Sequence, residues 1–191
     1  MPLNFPILLT WVRVLLIPVF ATLFYLPVHW INPAMANWIG AGIFAIAAIT
    51  DWFDGYLARR WNQATSFGAF LDPVADKLIV AVALILLVDL DRTYAVMAMI
   101  IIGREITISA LREWMAQMGK RNNVAVAQIG KIKTTAQMVA IVLLLIGSES
   151  FYGINFLILG NILMLVASIL TLWSMFYYLN AAFSGHQEEK N

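Results

Sequence analysis

The chain has no cysteine and only two histidines, so neither a disulfide framework nor a thiolate or imidazole metal site can organise it. Charged residues make up 12% of its 191 positions and apolar residues 62%, too little polar surface to keep a soluble domain of this length dispersed. The net charge is +1, which gives no reason to expect a nucleic-acid partner. A glycine-rich phosphate loop and a nucleophilic-serine motif are both missing, so no covalent intermediate is suggested. His29 and His186 lie far apart, in a connector and in the tail, and read as solvated side chains. What the chain has in quantity is uninterrupted apolar sequence.

Six runs approach the roughly 20 residues that an α-helix needs to cross a hydrocarbon core: residues 7–26, 35–58, 69–88, 94–114, 132–146 and 151–179. The expectation is an all-α, polytopic membrane protein with six transmembrane helices. Residues 1–183 form the membrane domain and 184–191 a polar tail. The connectors are 27–34, with Pro27 and Pro33, then 59–68, 89–92 and, longest, 117–130. Arg59, Arg60, Arg112, Lys120, Arg121, Lys131 and Lys133 flank the second and fourth connectors, whereas the first, third and fifth hold only Arg92. By the positive-inside rule both termini are then cytoplasmic. The first run is not a cleavable signal by pattern, since residues 1–6 carry no basic residue and Arg13 interrupts the apolar stretch. Tryptophans such as Trp30, Trp38 and Trp173 read as interface anchors and packing.

Ionisable residues inside such runs cost several kcal/mol unless partnered and are candidates for function. Asp51 and Asp54 lie three apart near the end of the second run, and Asp72 and Asp76 four apart near the start of the third. Each pair shares a helical face. A short connector brings both pairs to one membrane depth, where four carboxylates can converge. They cannot all stay ionised without a counter-charge, and an oxygen-only donor set favours a hard divalent cation, Mg²⁺ or Mn²⁺, over zinc. Four acids could hold two such ions. The competing reading pairs the aspartates with Arg13, Arg59 or Arg104, or makes Asp54-Gly55 a turn. Gly55 and Ala58 follow Asp51 by four and seven, and Gly68 precedes Asp72 by four, so small residues share the acidic stripe in both helices. Helix packing alone would not place them there.

Asp51, Asp54, Gly55, Ala58, Arg59, Gly68, Asp72 and Asp76 together resemble the CDP-alcohol phosphotransferase signature, D-x2-D-G-x2-A-R-x8-G-x3-D-x3-D, at all eight positions. Eight fixed positions match by chance on the order of once in 10¹⁰ starting points. Further stretches are similar to the branch of that family that uses glycerol-3-phosphate: Asn4-Phe5-Pro6, Leu9-Thr10 and Arg13, then 50–60, 67–77, 104–115, 130–138 and 170–179. The resemblance implies transfer of a phosphatidyl group from CDP-diacylglycerol to glycerol-3-phosphate with release of CMP. The implied setting is a bacterial inner membrane, with the site facing the cytoplasm and the chain a homodimer. It also implies that Asp51, Asp54, Asp72 and Asp76 bind a two-metal centre and that Asp76 is the general base. Gly55, Ala58, Arg59, Thr65 and Gly68 would line the CDP-lipid site, completed by Thr10 and Arg13.

A phosphorylated acceptor needs cationic donors, and Arg104, Arg112, Lys131 and Lys133 are the candidates. The alternative is that these residues obey the positive-inside rule and touch lipid headgroups, and that Arg104 pairs with an acid. Lys120 and Arg121 fit the headgroup role. Serine, inositol phosphate and phosphatidylglycerol remain alternative acceptors. A small cation or proton transporter is the rival from another class, but it would spread its acids along a pathway instead of clustering them at one depth.

Overall fold

A computed structural model describes residues 5–61, 66–117, 127–147, 150–151 and 153–184. Among the described residues the fold is almost entirely helical, with six helices: α1 (Phe5–Leu23), α2 (Pro33–Trp61), α3 (Ser66–Asp89), α4 (Ala95–Gln117), α5 (Ala127–Ile146) and α6 (Phe156–Ser184). Each apolar run therefore corresponds to one helix, with shifted ends. The second and third helices extend into the connector placed at 59–68, and α5 begins at Ala127, before its apolar run. A segment can be helical well beyond the part that suits hydrocarbon, because polar turns at the ends satisfy their own backbone. The sixth helix starts later than its run because Ser150–Phe151 and Ile154–Asn155 pair as a two-residue antiparallel hairpin. The Asn155 side chain then caps α6, accepting from the N–H groups of Leu157 at 2.9 Å and Ile158 at 3.3 Å.

α1 and α3 run parallel and are tied at both ends. Thr10 donates its hydroxyl to Asp72 near their starts, and the Tyr25 phenol donates to Asp89 at 2.8 Å near their finish. That second bond pushes the Tyr25 phenol above its ordinary range. α4 and α6 are also parallel, linked by Thr93 to Asn161 at 3.0 Å just before α4 and by Arg104 to Ser174 at 3.3 Å further along. α5 packs most extensively on α6 and also lies against α2. A Cβ at Gly160 on α6 would sit 2.7 Å from Leu144 of α5, so glycine is what allows this close approach. Phe20, Phe44, Leu84, Leu87, Ile101 and Leu144 fill the centre.

Large apolar side chains also cover the outside, among them Leu15, Ile46, Ile85, Ile106, Ile169 and Phe176, an outer surface suited to hydrocarbon and not to water. Among the described residues, Pro33–Thr50 and Phe156–Phe176 are long and apolar enough to cross a membrane, and Thr10–Leu23 and Lys133–Ile146 are shorter apolar stretches.

The end of the bundle away from the aspartates is closed by Arg92. Its Nη1 donates to the carbonyls of Leu145 at 2.6 Å and Leu144 at 3.2 Å, and its Nη2 donates to Asn37 Oδ1 at 2.7 Å. The guanidinium thus caps the last turn of α5, where orphan carbonyls and the helix dipole favour a cation. Burial pulls it below its ordinary pKa range. Gly147 follows with φ +87°, and a Cβ there would lie 3.3 Å from the guanidinium. Left-handed backbone and a bulky neighbour both require glycine.

Candidate active site

The end of the bundle that carries the aspartates is assembled from α1, α2 and α3. Asp51, Asp54, Gly55, Ala58 and Arg59 all lie within α2, so the helix repeat puts Asp51, Asp54, Gly55 and Ala58 on one face. Asp72 and Asp76 lie one turn apart on α3, and Gly68 stands in the first turn of that helix. The side chains of Asp51, Asp54, Ala58 and Arg59 and the surroundings of Gly55 and Gly68 fall outside the described residues, as does Thr65 altogether. The convergence of all four carboxylates is therefore described only for its α3 half. Pro73 stands between the α3 acids and has no N–H to donate to the preceding turn.

For that half the geometry is definite. Thr10, only 1% exposed, donates to Asp72 Oδ1. Arg13, three residues on, is also buried. Of the two residues expected to complete the site from the first helix, Thr10 thus lies in the contact between α1 and α3, and Arg13 is buried one turn further along α1. A hydroxyl donating to one carboxylate oxygen fixes its rotamer and leaves the other oxygen for a ligand, an arrangement common behind metal-binding groups. The donors at hand are carboxylates and a hydroxyl, hard oxygen chemistry that suits Mg²⁺ or Mn²⁺.

The expected acceptor residues are brought together in part. Arg104 Nη1 reaches Glu105 Oε1 at 2.9 Å, and Lys133 Nζ, almost fully buried, reaches the same oxygen at 3.4 Å. Arg104 therefore does pair with an acid, as the alternative reading allowed, and it does so beside a second cation. Arg112 lies on α4 and Lys131 on α5, with their side chains outside the described residues.

Other polar groups at this site were not singled out from the sequence. Ser174 on α6 accepts from Arg104 Nη2. The fully buried Thr171 hydroxyl and Arg104 Nε make no hydrogen bond among the described residues. Buried donors are seldom left so. Ser168, Thr171 and Ser174, three apart on α6, are all buried, and that spacing was the available signal. Lys77, next to Asp76, donates to Ser109 Oγ of α4, and Ser109 donates to the Glu105 carbonyl at 2.6 Å.

The sequence profile of the CDP-alcohol phosphatidyltransferase family matches residues 3–173. Proteins from Salmonella typhimurium (strain LT2), Shigella flexneri and Escherichia coli (strain K12) are each 55% identical over 184 residues. The match covers 95% of this chain and 96% of each relative. All three relatives are named CDP-diacylglycerol–glycerol-3-phosphate 3-phosphatidyltransferase.

Proposed function

Because the chain belongs to the CDP-alcohol phosphatidyltransferase family, we propose that it transfers the phosphatidyl group of CDP-diacylglycerol to glycerol-3-phosphate, releasing CMP and forming phosphatidylglycerophosphate. The observation that carries this reading is 55% identity to proteins of that name over 95% of the chain. The eight-position signature on α2 and α3 supports it, as does the meeting of Arg104 and Lys133 at Glu105.

Asp51, Asp54, Asp72 and Asp76 hold two divalent cations, Mg²⁺ or Mn²⁺. When bound, these would supply Lewis-acid neutralisation of the CDP-lipid pyrophosphate. Thr10 keeps Asp72 in its rotamer. Gly55, Ala58 and Gly68 leave room for the nucleotide, and Arg59, Thr65 and Arg13 give it polar contacts. Arg104, Arg112, Lys131 and Lys133 hold the acceptor's phosphate, with the unused donors Arg104 Nε and Thr171 Oγ1 available to its oxygens.

Asp76 takes the proton from the acceptor hydroxyl as that oxygen forms a bond to the lipid-side phosphorus. The bond from phosphorus to the CMP oxygen breaks in the same displacement. Positioning and charge stabilisation supply most of the rate enhancement.

All six helices span a bacterial inner membrane with both termini in the cytoplasm, and the aspartate end faces the same side. The distribution of lysine and arginine supports this orientation, and Arg92, the exception, is engaged as a helix cap. The assembly is a homodimer, a reading that rests on the family alone.

The test is CMP release by the purified protein given CDP-diacylglycerol and Mg²⁺, with glycerol-3-phosphate, serine, inositol phosphate and phosphatidylglycerol supplied in parallel. Release with glycerol-3-phosphate alone is expected. Release only with another acceptor would keep the family chemistry and overturn the acceptor; release with none would overturn the transferase reading.

A further inference from the structure

The Arg104 guanidinium divides its donors between two helices. Nη1 reaches Glu105 Oε1 at 2.9 Å, a partner on its own helix and adjacent in sequence. That bond keeps the guanidinium beside α4 without setting where it stands against the rest of the bundle. Nη2 donates to Ser174 Oγ of α6 at 3.3 Å, the guanidinium's one hydrogen bond to another helix among the described residues. The position of this cation relative to α6 therefore depends on a single hydroxyl.

The surroundings of Ser174 suit it to that contact. Its side chain is buried, and its only proton is committed to the Thr171 carbonyl at 2.9 Å. Toward Arg104 the oxygen can then only accept. Thr93, just before α4, donates to Asn161 of α6 at 3.0 Å, and the two parallel helices carry Ser174 alongside Arg104 from there. A neutral acceptor orients a cation without neutralising it. A carboxylate in its place would compete with any anionic ligand for the same guanidinium.

We propose that Ser174 is a positioning residue for the acceptor's phosphate: it tethers the Arg104 guanidinium to α6 and so sets the fit of the acceptor without touching it. The inference rests on the proposed role of Arg104 in holding that phosphate. A hydroxyl that only packed α4 against α6 would matter alike for donor and acceptor. A tether on Arg104 matters for the one ligand that Arg104 holds.

The test is steady-state CMP release by the purified protein, with glycerol-3-phosphate and CDP-diacylglycerol varied in turn. Ser174→Ala should raise KM for glycerol-3-phosphate about tenfold, the loss expected for one hydrogen bond to a charged group. KM for CDP-diacylglycerol and kcat at saturating acceptor should both stay within about twofold of the wild type, the pattern of lost ground-state binding. Arg104→Gln should raise the acceptor KM at least about tenfold, and Ser174→Ala added to it should bring no further rise, because residues acting through one another are not additive. Thermal midpoints report that each variant is folded. An acceptor KM raised by Arg104→Gln but unmoved by Ser174→Ala would overturn the tether and leave the role of Arg104 standing. Equal increases in both KM values with Ser174→Ala, or a fully additive double variant, would also overturn the tether. An acceptor KM unmoved by Arg104→Gln would overturn the role of Arg104 and the tether with it.

Discussion

Thr10 of α1 holds Asp72 of α3 by a hydrogen bond from a side chain that is itself sealed from solvent. Removing the hydroxyl takes away the donor to one carboxylate oxygen and frees the rotamer. Thr10→Val keeps the shape and removes the donor. It is expected to lower kcat about 10- to 100-fold and to raise the Mg²⁺ concentration needed for half-maximal rate, the usual size of effect for a group that orients a metal ligand. CMP release across a Mg²⁺ titration measures both. An unchanged Mg²⁺ dependence would reduce the contact to packing.

Asp76 carries the proton transfer in the proposed reaction. Asp76→Asn preserves volume and loses the base, so turnover should fall by roughly 10²- to 10⁴-fold, with CDP-diacylglycerol binding largely kept. Rapid measurement of CMP release beside equilibrium binding of the donor separates the two. A rate near that of the wild type would transfer the role to another acid. Chelation by EDTA should silence the wild type, and added Mg²⁺ or Mn²⁺ should restore it.

How much of this was legible in the sequence depends on the distance over which each feature acts. The helices were visible because hydropathy is a property of consecutive residues, and the aspartates because i, i+3 and i, i+4 spacing is local. Thr10 was placed in the site from the sequence, but its partner, 62 positions away, was not. Arg92 looked like a stray positive charge in a connector. Only the fold shows that it is spent on carbonyls 52 and 53 positions further on. Helix ends were the weakest reading, since α5 starts in polar sequence that no hydropathy window separates from a loop.

Glu105 neutralises two cations, Arg104 and Lys133. Glu105→Gln would leave both positive charges together in a partly buried setting, which is destabilising. The expected result is a lower thermal midpoint without ligand and a larger stabilisation by glycerol-3-phosphate than in the wild type, because the acceptor phosphate then supplies the missing anion. Thermal unfolding with and without the acceptor reads this directly. If the acceptor stabilised both proteins equally, the Glu105 cluster would be scaffold alone.

Arg92 joins three elements far from the reacting groups. Arg92→Gln removes charge-assisted bonds to the end of α5 and to Asn37, worth about 1.5 to 3 kcal/mol each in comparable settings. The thermal midpoint should drop clearly, whereas KM for donor and acceptor at low temperature should stay as in the wild type. A shift in either KM would mean that the far end of the bundle is coupled to the site.

α3 ends in a Schellman arrangement, with the N–H of Arg92 donating to the Leu87 carbonyl at 2.9 Å and that of Asp91 to the Val88 carbonyl at 3.1 Å. Asp91 occupies the left-handed position, at φ +55°, where a side chain costs about 1 kcal/mol relative to glycine. Its side chain is exposed and takes no part in the Arg92 contacts. Asp91→Gly is therefore expected to raise the thermal midpoint by a few degrees with activity unchanged. The gain is partly offset by the greater freedom of glycine in the unfolded chain. A fall in the midpoint would show that the Asp91 carboxylate contributes more than the backbone conformation costs, which its proximity in sequence to Arg92 makes the one competing account.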